Sequence, residues 1–199
     1  KPGSVTSWQD LLKPKFKGKI AAFDPRTGGP GQAAAAYLVD LFGIDYVKKL
    51  YVGQQVKLAR DSRQLVEWVA RGVYAVALGT LPVNVEKFKK AGITTLEVGA
   101  MTDGEGSRLG GSSVAVMPKG APHPNAATVF LNWYASQPAQ EIYARIWGTP
   151  SRRADVKVAG IPDYVVPKPG KKYLNQYAEN WYVNTRPKLR RAIVKALGR

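Results

Sequence analysis

A Gly-rich turn near the start of the chain has the composition of an anion-binding loop. It has the sequence DPRTGGPG, spans residues 24–31 and joins a short apolar run to a long helical one. Its glycines permit a tight turn with exposed backbone N–H groups, Arg26 adds a permanent positive charge, and the N-terminus of the following helix presents unpaired N–H groups. Such an arrangement can hold phosphate, sulfate or carboxylate. The turn could equally serve only to start a helix, and it matches neither GxGxxG nor GxxxxGK[ST].

No arrangement of side chains typical of an enzyme accompanies this turn. The sequence has no cysteine and one histidine, His123, whose place at a Pro-flanked helix start favours a solvated capping role over metal ligation. Neither a nucleophile elbow nor a catalytic carboxylate pair is present. We therefore expect no catalytic residue, no metal and no cofactor, and we interpret the chain as a binding protein.

The chain of 199 residues carries a formal net charge of +16, with basic residues crowded at both ends. This charge favours anionic partners. Specific nucleic-acid binding is disfavoured because no RNA- or DNA-binding motif is present and the basic runs lack aromatic residues at stacking spacing. No apolar run approaches the length that crosses a bilayer. The first residues, KPGSVTSWQD, do not resemble a signal peptide and suggest an excised piece of a longer protein.

Strands that alternate with helices predict an α/β fold with a doubly wound, mainly parallel sheet flanked by helices. The nearly continuous apolar run at 73–78 predicts a strand covered on both faces in the middle of the sheet. A pair of helices that begin at Pro124 and Pro138 should pack as a hairpin. Strands are expected at 20–23, 55–58, 73–78, 93–98 and 113–117, and other helices at 7–12, from 32 to Gly43, at 44–50, 63–71 and 83–91, and from Pro187 to Gly198.

Two regions of different character are expected. Residues 1–155 should form the α/β lobe, and residues 156–199 an irregular Pro-rich segment followed by a helical C-terminal extension. Leu189, Ile193 and Leu197 recur four residues apart in that extension, which gives it one apolar stripe.

Three stretches of the sequence, taken in order, resemble the second lobe of the extracellular solute-binding proteins of ABC importers. The resemblance is to the branch of these proteins that includes ferric-iron binders. The stretches are SWQDLLKPKFKGKIAAFDPRTGGPGQ, DSRQLVEWVARGVYAVALG and GGSSVAVMPKGAPHPNAATVFLNWYASQPAQEIYA, and the resemblance spans Trp8 to about Asp155. Such proteins have two lobes of the type II periplasmic-binding-protein fold that close on a solute and deliver it to a membrane permease. The resemblance implies a C-terminal lobe only, in the periplasm or outside the cell, where a lipid anchor is possible.

The resemblance also implies which residues contact the ligand. They follow three strands, and the third place holds two adjacent tyrosines in the iron binders but Gly79 and Thr80 here. Because ferric iron needs anionic oxygen ligands, we expect a small, anionic solute or a metal complex rather than an iron site. The implied ligand-binding residues are Arg26, Thr27, Gly28, Gly29, Gly31, Gln32, Arg60, Asp61, Ser62, Gly79 and Thr80, and weaker candidates are Arg108, Ser112, Arg152 and Arg153.

The absence of a first lobe would leave an apolar surface, which we expect to be buried against a second copy of the chain. The segment after Pro150 would cross back toward the missing N-terminal lobe. A competing interpretation is a basic regulatory or interaction domain of similar fold that binds nucleic acid or acidic surfaces through its termini. Salt-dependent binding to arbitrary duplex DNA, without binding of any small molecule, would favour that alternative.

Overall fold

A three-stranded parallel sheet organises the computed structural model of the chain. The strands β1 (Ile20–Phe23), β2 (Lys57–Ala59) and β3 (Val76–Leu78) lie in the order β2-β1-β3. A separate parallel pair joins β4 (Gly106–Arg108) to β5 (Tyr173–Asn175). The structure describes residues 5–99, 101–104, 106–108, 115–175, 178 and 180–198.

The described helices begin and end close to the residues that the sequence indicates. Pro30 occupies the first turn of the longest helix, where a missing N–H costs nothing. That helix kinks at Gly43, whose φ of 80° and ψ of 171° interrupt it where the sequence predicts an end. The helices are α1 (Pro30–Lys48), α2 (Ser62–Ala70), α3 (Pro82–Lys90), α4 (Pro124–Tyr134), α5 (Gln137–Trp147) and α6 (Arg186–Leu197), with short 3-10 turns at Gln9–Leu12, Pro14–Phe16 and Asp163–Val165 and π-helical turns at Lys49–Gly53 and Trp181–Thr185.

The strand order places helices on both faces of the sheet. The chain moves from β1 to β2 in one direction and returns past β1 to reach β3, so right-handed connections put α1 and α2 on opposite faces. Ile20 and Ala22 of β1 accordingly join the core on the α1 side, whereas Ala21 packs with Leu65 of α2. The expected α/β fold with a parallel sheet flanked by helices is confirmed.

Two expectations about strands were wrong. The apolar run at 73–78 does not form a central strand, because β3 begins at Val76 and lies at an edge of the described sheet; Val73 is 58% exposed, and the ring of Tyr74 packs against Trp68 instead. The run at 93–98 forms no strand. Its apolar residues Ile93 and Leu96 pack against α2 and α3.

The strand predicted at 113–117 falls partly outside the described residues. Residues 115–117 are described, and they have no strand structure and are exposed. No helix in the described parts of the chain has the length and apolar character needed to span a membrane.

The chain divides into two compact units. One contains Lys1–Leu109 and Lys172–Arg199, and the other contains Gly110–Lys171. In the second unit, α4 and α5 form the expected helical hairpin, with the rings of Tyr134 and Tyr143 edge to face at 5.5 Å between centroids. The sequence predicts a boundary at residue 155, after which the chain would cross back toward a first lobe. This boundary stays a prediction.

The C-terminal helix α6 packs against α1 within the first unit. Ile193 is fully buried there, and Leu189 and Leu197 pack beside it, so the apolar stripe predicted from the sequence is the buried one. The indole Nε1 of Trp181 donates a hydrogen bond of 2.7 Å to Asp40 of α1. The end of the chain is therefore part of the α/β unit.

Candidate anion-binding site

Asp24 is the buried centre of the turn between β1 and α1. Its Oδ1 accepts hydrogen bonds from the backbone N (3.0 Å) and the Nε (2.9 Å) of Arg26, and its Oδ2 accepts one from Arg26 Nη2 (3.0 Å). This pairing holds the pKa of the Asp24 carboxyl below its usual range and raises the pKa of the Arg26 guanidinium. A two-point contact of this kind fixes the plane of the guanidinium, whose remaining N–H groups can bind an anion.

A second guanidinium lies near the same carboxylate. The Nε of Arg60, in the turn after β2, is 3.7 Å from Asp24 Oδ2. Since the Arg60 side chain is 77% exposed, this ion pair adds little to stability. Its consequence is electrostatic, because two guanidinium groups share the single carboxylate of Asp24.

Backbone contacts bring the turn after β3 against the start of α1. A Cβ on Gly31 would lie 2.4 Å from the carbonyl oxygen of Phe23, so only glycine fits there. Gly79 has a φ of +74°, and a Cβ on it would lie 3.4 Å from the Cα of Gly31. The close approach sets Gly79 and Thr80 beside the N-terminus of α1.

The start of α2 is tied to the same place. The Oγ of Ser62, a buried residue, accepts a 2.8 Å hydrogen bond from the backbone N of Leu81, the residue before α3. Asp61 caps α2 by accepting 2.7 Å and 3.4 Å hydrogen bonds from the N–H groups of Arg63 and Gln64. The N-termini of α1, α2 and α3, which carry partial positive charge, therefore share the carboxyl edge of the sheet.

The structure thus gathers the three groups of residues that the resemblance singles out. Some of their polar side chains are already engaged: Thr27 donates its hydroxyl to the carbonyl of Asp24 at 2.9 Å, and Asp61 serves as a cap. Gln32 is buried, and its Oε1 accepts hydrogen bonds of 2.9 Å and 3.3 Å from Arg186. Arg26, Arg60, Thr80 and the exposed backbone of Gly28 and Gly29 remain as donors toward solvent.

The structure adds two residues that the sequence interpretation missed. The carboxylate of Asp24 stands only two residues before Arg26, and an Asp-x-Arg turn could have suggested the pairing. Arg186 is 154 residues from Gln32, and no local pattern could have joined them.

None of the weaker candidates belongs to the turns that follow β1, β2 and β3. Arg152 and Arg153 belong to the second unit, where Arg153 Nη2 pairs with Asp155 Oδ2 at 2.7 Å. Arg108 lies in β4, and Ser112 is outside the described residues. His123 occupies the N-cap position of α4, but its side chain makes no capping hydrogen bond, so the capping role expected for it was wrong.

A parallel sheet with helices on both faces and donors at the carboxyl ends of its strands defines an α/β ligand-binding lobe. The donors follow β1 and β3, where the strand order reverses, which is the usual ligand position in such sheets. Comparison with known families agrees: the model for bacterial extracellular solute-binding proteins matches residues 1–146. The chain belongs to this family.

Two kinds of relative accompany the family match. An uncharacterised protein of Haemophilus influenzae is 32% identical over 142 residues, which are 68% of this chain and 38% of the relative. A Salmonella typhi protein, provisionally named as a 2-aminoethylphosphonate-binding periplasmic protein, is 28% identical over 151 residues, which are 73% of this chain and 45% of the relative. A Salmonella typhimurium protein of the same name matches equally well. The chain spans less than half the length of these relatives.

Proposed function

We propose that the chain is the second lobe of a solute-binding protein that captures a small anionic solute and delivers it to the permease of an ABC importer. The observation that carries the proposal is the convergence of Arg26, Arg60 and three helix N-termini at one edge of the sheet. Positive groups placed in this way recognise a phosphate, phosphonate or carboxylate without catalysing a reaction. Family membership points in the same direction, toward transport and away from catalysis.

The proposed ligand-binding residues are those named from the sequence, together with Asp24 as the residue that positions Arg26. Asp61 and Ser62 act by fixing the start of α2, and Gly31 and Gly79 by allowing the turns to approach each other. The relatives named for 2-aminoethylphosphonate make a phosphonate the first solute to test. Gly79 and Thr80 supply no anionic ligand for ferric iron, so we expect no iron site at this edge.

The remaining parts of the proposal concern the whole protein. A first lobe would provide the opposite wall of the cleft, and closure of the two lobes would enclose the solute. The protein would act in the periplasm or outside the cell, and a lipid anchor is compatible with that location.

A titration followed by two-dimensional NMR tests the proposal on the 199-residue chain, because half a cleft binds weakly and NMR detects millimolar affinity. We expect 2-aminoethylphosphonate or phosphate to shift the amide signals of Gly28, Gly29, Gly79 and Thr80. Shifts at these amides caused by ferric iron, with visible colour, would overturn the metal-free assignment. Absence of any shift at millimolar ligand, together with salt-dependent binding to duplex DNA, would support the alternative of a basic interaction domain.

A further inference from the structure

A basic groove lies between α6 and the start of α1. Its volume is about 870 Å³, within the range of roughly 300 to 1,000 Å³ typical of small-molecule sites. Gly28 and Gln32 line its α1 side, and Arg186, Arg190, Arg191 and Lys195 line its α6 side. The groove shares Gly28 and Gln32 with the candidate site at the carboxyl edge of the sheet, but neither Arg26 nor Gly79 lines it, so the two sites adjoin without coinciding.

The position of the cations follows from helix geometry. Leu189, Ile193 and Leu197 turn one face of α6 into the core. Residues four apart lie on the same side of a helix, so Arg186 lies beside Arg190, and Arg191 lies beside Lys195. All four side chains line the groove. Burial of the apolar stripe therefore fixes which side of the helix presents its positive charges.

These charges are not neutralised within the described part of the chain. No described carboxylate lies within ion-pair distance of Arg186, Arg190, Arg191 or Lys195, and α6 itself contains no acidic residue. Like charges four residues apart on a helix repel each other. In a chain with a net charge of +16, a bound anion would relieve this repulsion.

One of the cations is already held in place. Arg186 donates from Nη2 (2.9 Å) and Nε (3.3 Å) to the Oε1 of the buried Gln32, and its guanidinium lies 4.6 Å from the centre of the Tyr182 ring. A guanidinium fixed in this way loses little freedom when it binds a phosphate through two hydrogen bonds. Arg186 covers the Tyr182 ring that a nucleic-acid base would need for stacking, and the surface is concave, so a small ligand fits better than nucleic acid.

We propose that this groove is a second anion site, which binds a small molecule bearing at least two negative charges of the phosphate type. Arg186 positions one charged group beside Gln32, and Arg190, Arg191 and Lys195 neutralise the others. The site needs neither the proposed importer function nor the first lobe, because both of its walls belong to one compact unit.

The test measures binding of inorganic pyrophosphate by calorimetry at low and at physiological ionic strength. The groove variant combines Arg190→Gln with Lys195→Gln, and the control combines Lys188→Gln with Lys172→Gln, which removes the same charge from exposed positions outside the groove. We expect the groove variant to lose at least tenfold in affinity and the control less than about twofold. NMR shifts from pyrophosphate should fall on residues 186–198 rather than on Gly79 and Thr80.

A second measurement separates a binding site from a merely structural role. Without ligand and at low salt, the groove variant should melt at a higher temperature than the wild type, because it removes one charge from each repelling pair, Arg186 with Arg190 and Arg191 with Lys195. Pyrophosphate should raise the melting temperature of the wild type and not that of the variant. Equal loss of affinity in both variants, no binding of pyrophosphate, or binding of duplex DNA alone would each overturn the proposal.

Discussion

The carboxylate of Asp24 and the guanidinium of Arg26 form two parallel hydrogen bonds, of 2.9 Å from Nε to Oδ1 and 3.0 Å from Nη2 to Oδ2. The Asp24 side chain is nearly inaccessible, whereas that of Arg26 is 30% exposed, so the pair points its cationic end toward solvent. A carboxylate that ends a buried strand thus acts as the anchor for the positive charge of the candidate site.

Replacing Asp24 with asparagine should lower the free energy of unfolding at neutral pH. The change keeps the shape of the side chain but removes a charge-assisted pair, which is worth about 1.5 to 3 kcal/mol, and the exposure of Arg26 favours the lower end. Asp45→Asn, at an exposed position on α1, serves as the matched control and should cost less than about 0.5 kcal/mol. Urea denaturation of both variants provides the measurement.

The same variant should change the pH dependence of stability. The pKa of Asp24 is lower in the folded chain than in the unfolded one, where it is about 3.9, so its stabilisation is complete above that value. It disappears as the pH falls through the lower, folded pKa. The difference in unfolding free energy between the wild type and Asp24→Asn should therefore stay constant near neutral pH and shrink below about pH 4. A difference that grows toward acid pH would contradict the pairing.

Replacing Arg26 with alanine should weaken phosphonate binding. The loss of one charge-assisted contact, about 1.5 to 3 kcal/mol, corresponds to a rise in Kd of roughly 10- to 150-fold. Arg26→Lys keeps the positive charge and one donor for Asp24 but loses the planar guanidinium group. The Kd of this variant should therefore lie between those of the wild type and Arg26→Ala. Arg63→Ala, on the exposed side of α2, is the control. NMR titration gives the Kd values, and unchanged affinity in Arg26→Ala would remove Arg26 from the site.

The local sequence pattern predicted the strand and the helix on either side of the Gly-rich turn. Features that depend on contacts between distant parts of the chain could not be predicted in this way. The apolar run at 20–23, followed by glycines and Pro30, is enough to specify β1, the turn and α1. An apolar run alone does not say whether its residues pair as a strand or pack against helices, which is why 73–75 and 93–98 were misassigned. The contact between Gln32 and Arg186 depends on the docking of α6, which no sequence periodicity reveals.

Replacing Gly31 with alanine should destabilise the fold at the candidate site. The new Cβ would meet the Phe23 carbonyl at 2.4 Å, a backbone atom that cannot move without disturbing β1, so we expect a cost of at least about 2 kcal/mol. Gly28→Ala is the matched control, since a Cβ there meets nothing within 4 Å. Chemical denaturation should show an effect within about 0.5 kcal/mol for the control. Equal effects would contradict the close packing of α1 on β1.

Replacing Ile193 with alanine tests whether α6 is part of the α/β unit. Its side chain is fully buried against the α1 core, so we expect a loss of about 2 to 5 kcal/mol in unfolding free energy. Val183→Ala, at a position in the same segment that is 60% exposed, should cost less than about 0.5 kcal/mol. A wild-type-like denaturation curve for Ile193→Ala would mean that α6 does not dock on α1.

The exposed apolar face of α4 should drive association of the chain in solution. Val129, Phe130 and Trp133 are 70%, 55% and 54% exposed on one side of this helix, which is the kind of surface that other protein normally covers. We expect light scattering to show a mass that rises with concentration, and a Phe130→Ser, Trp133→Ser double variant to remain monomeric. A Val116→Ser, Val158→Ser double variant, at exposed positions outside α4, should associate as the wild type does. A monomeric wild type at high concentration would count against a second copy as the partner of this face.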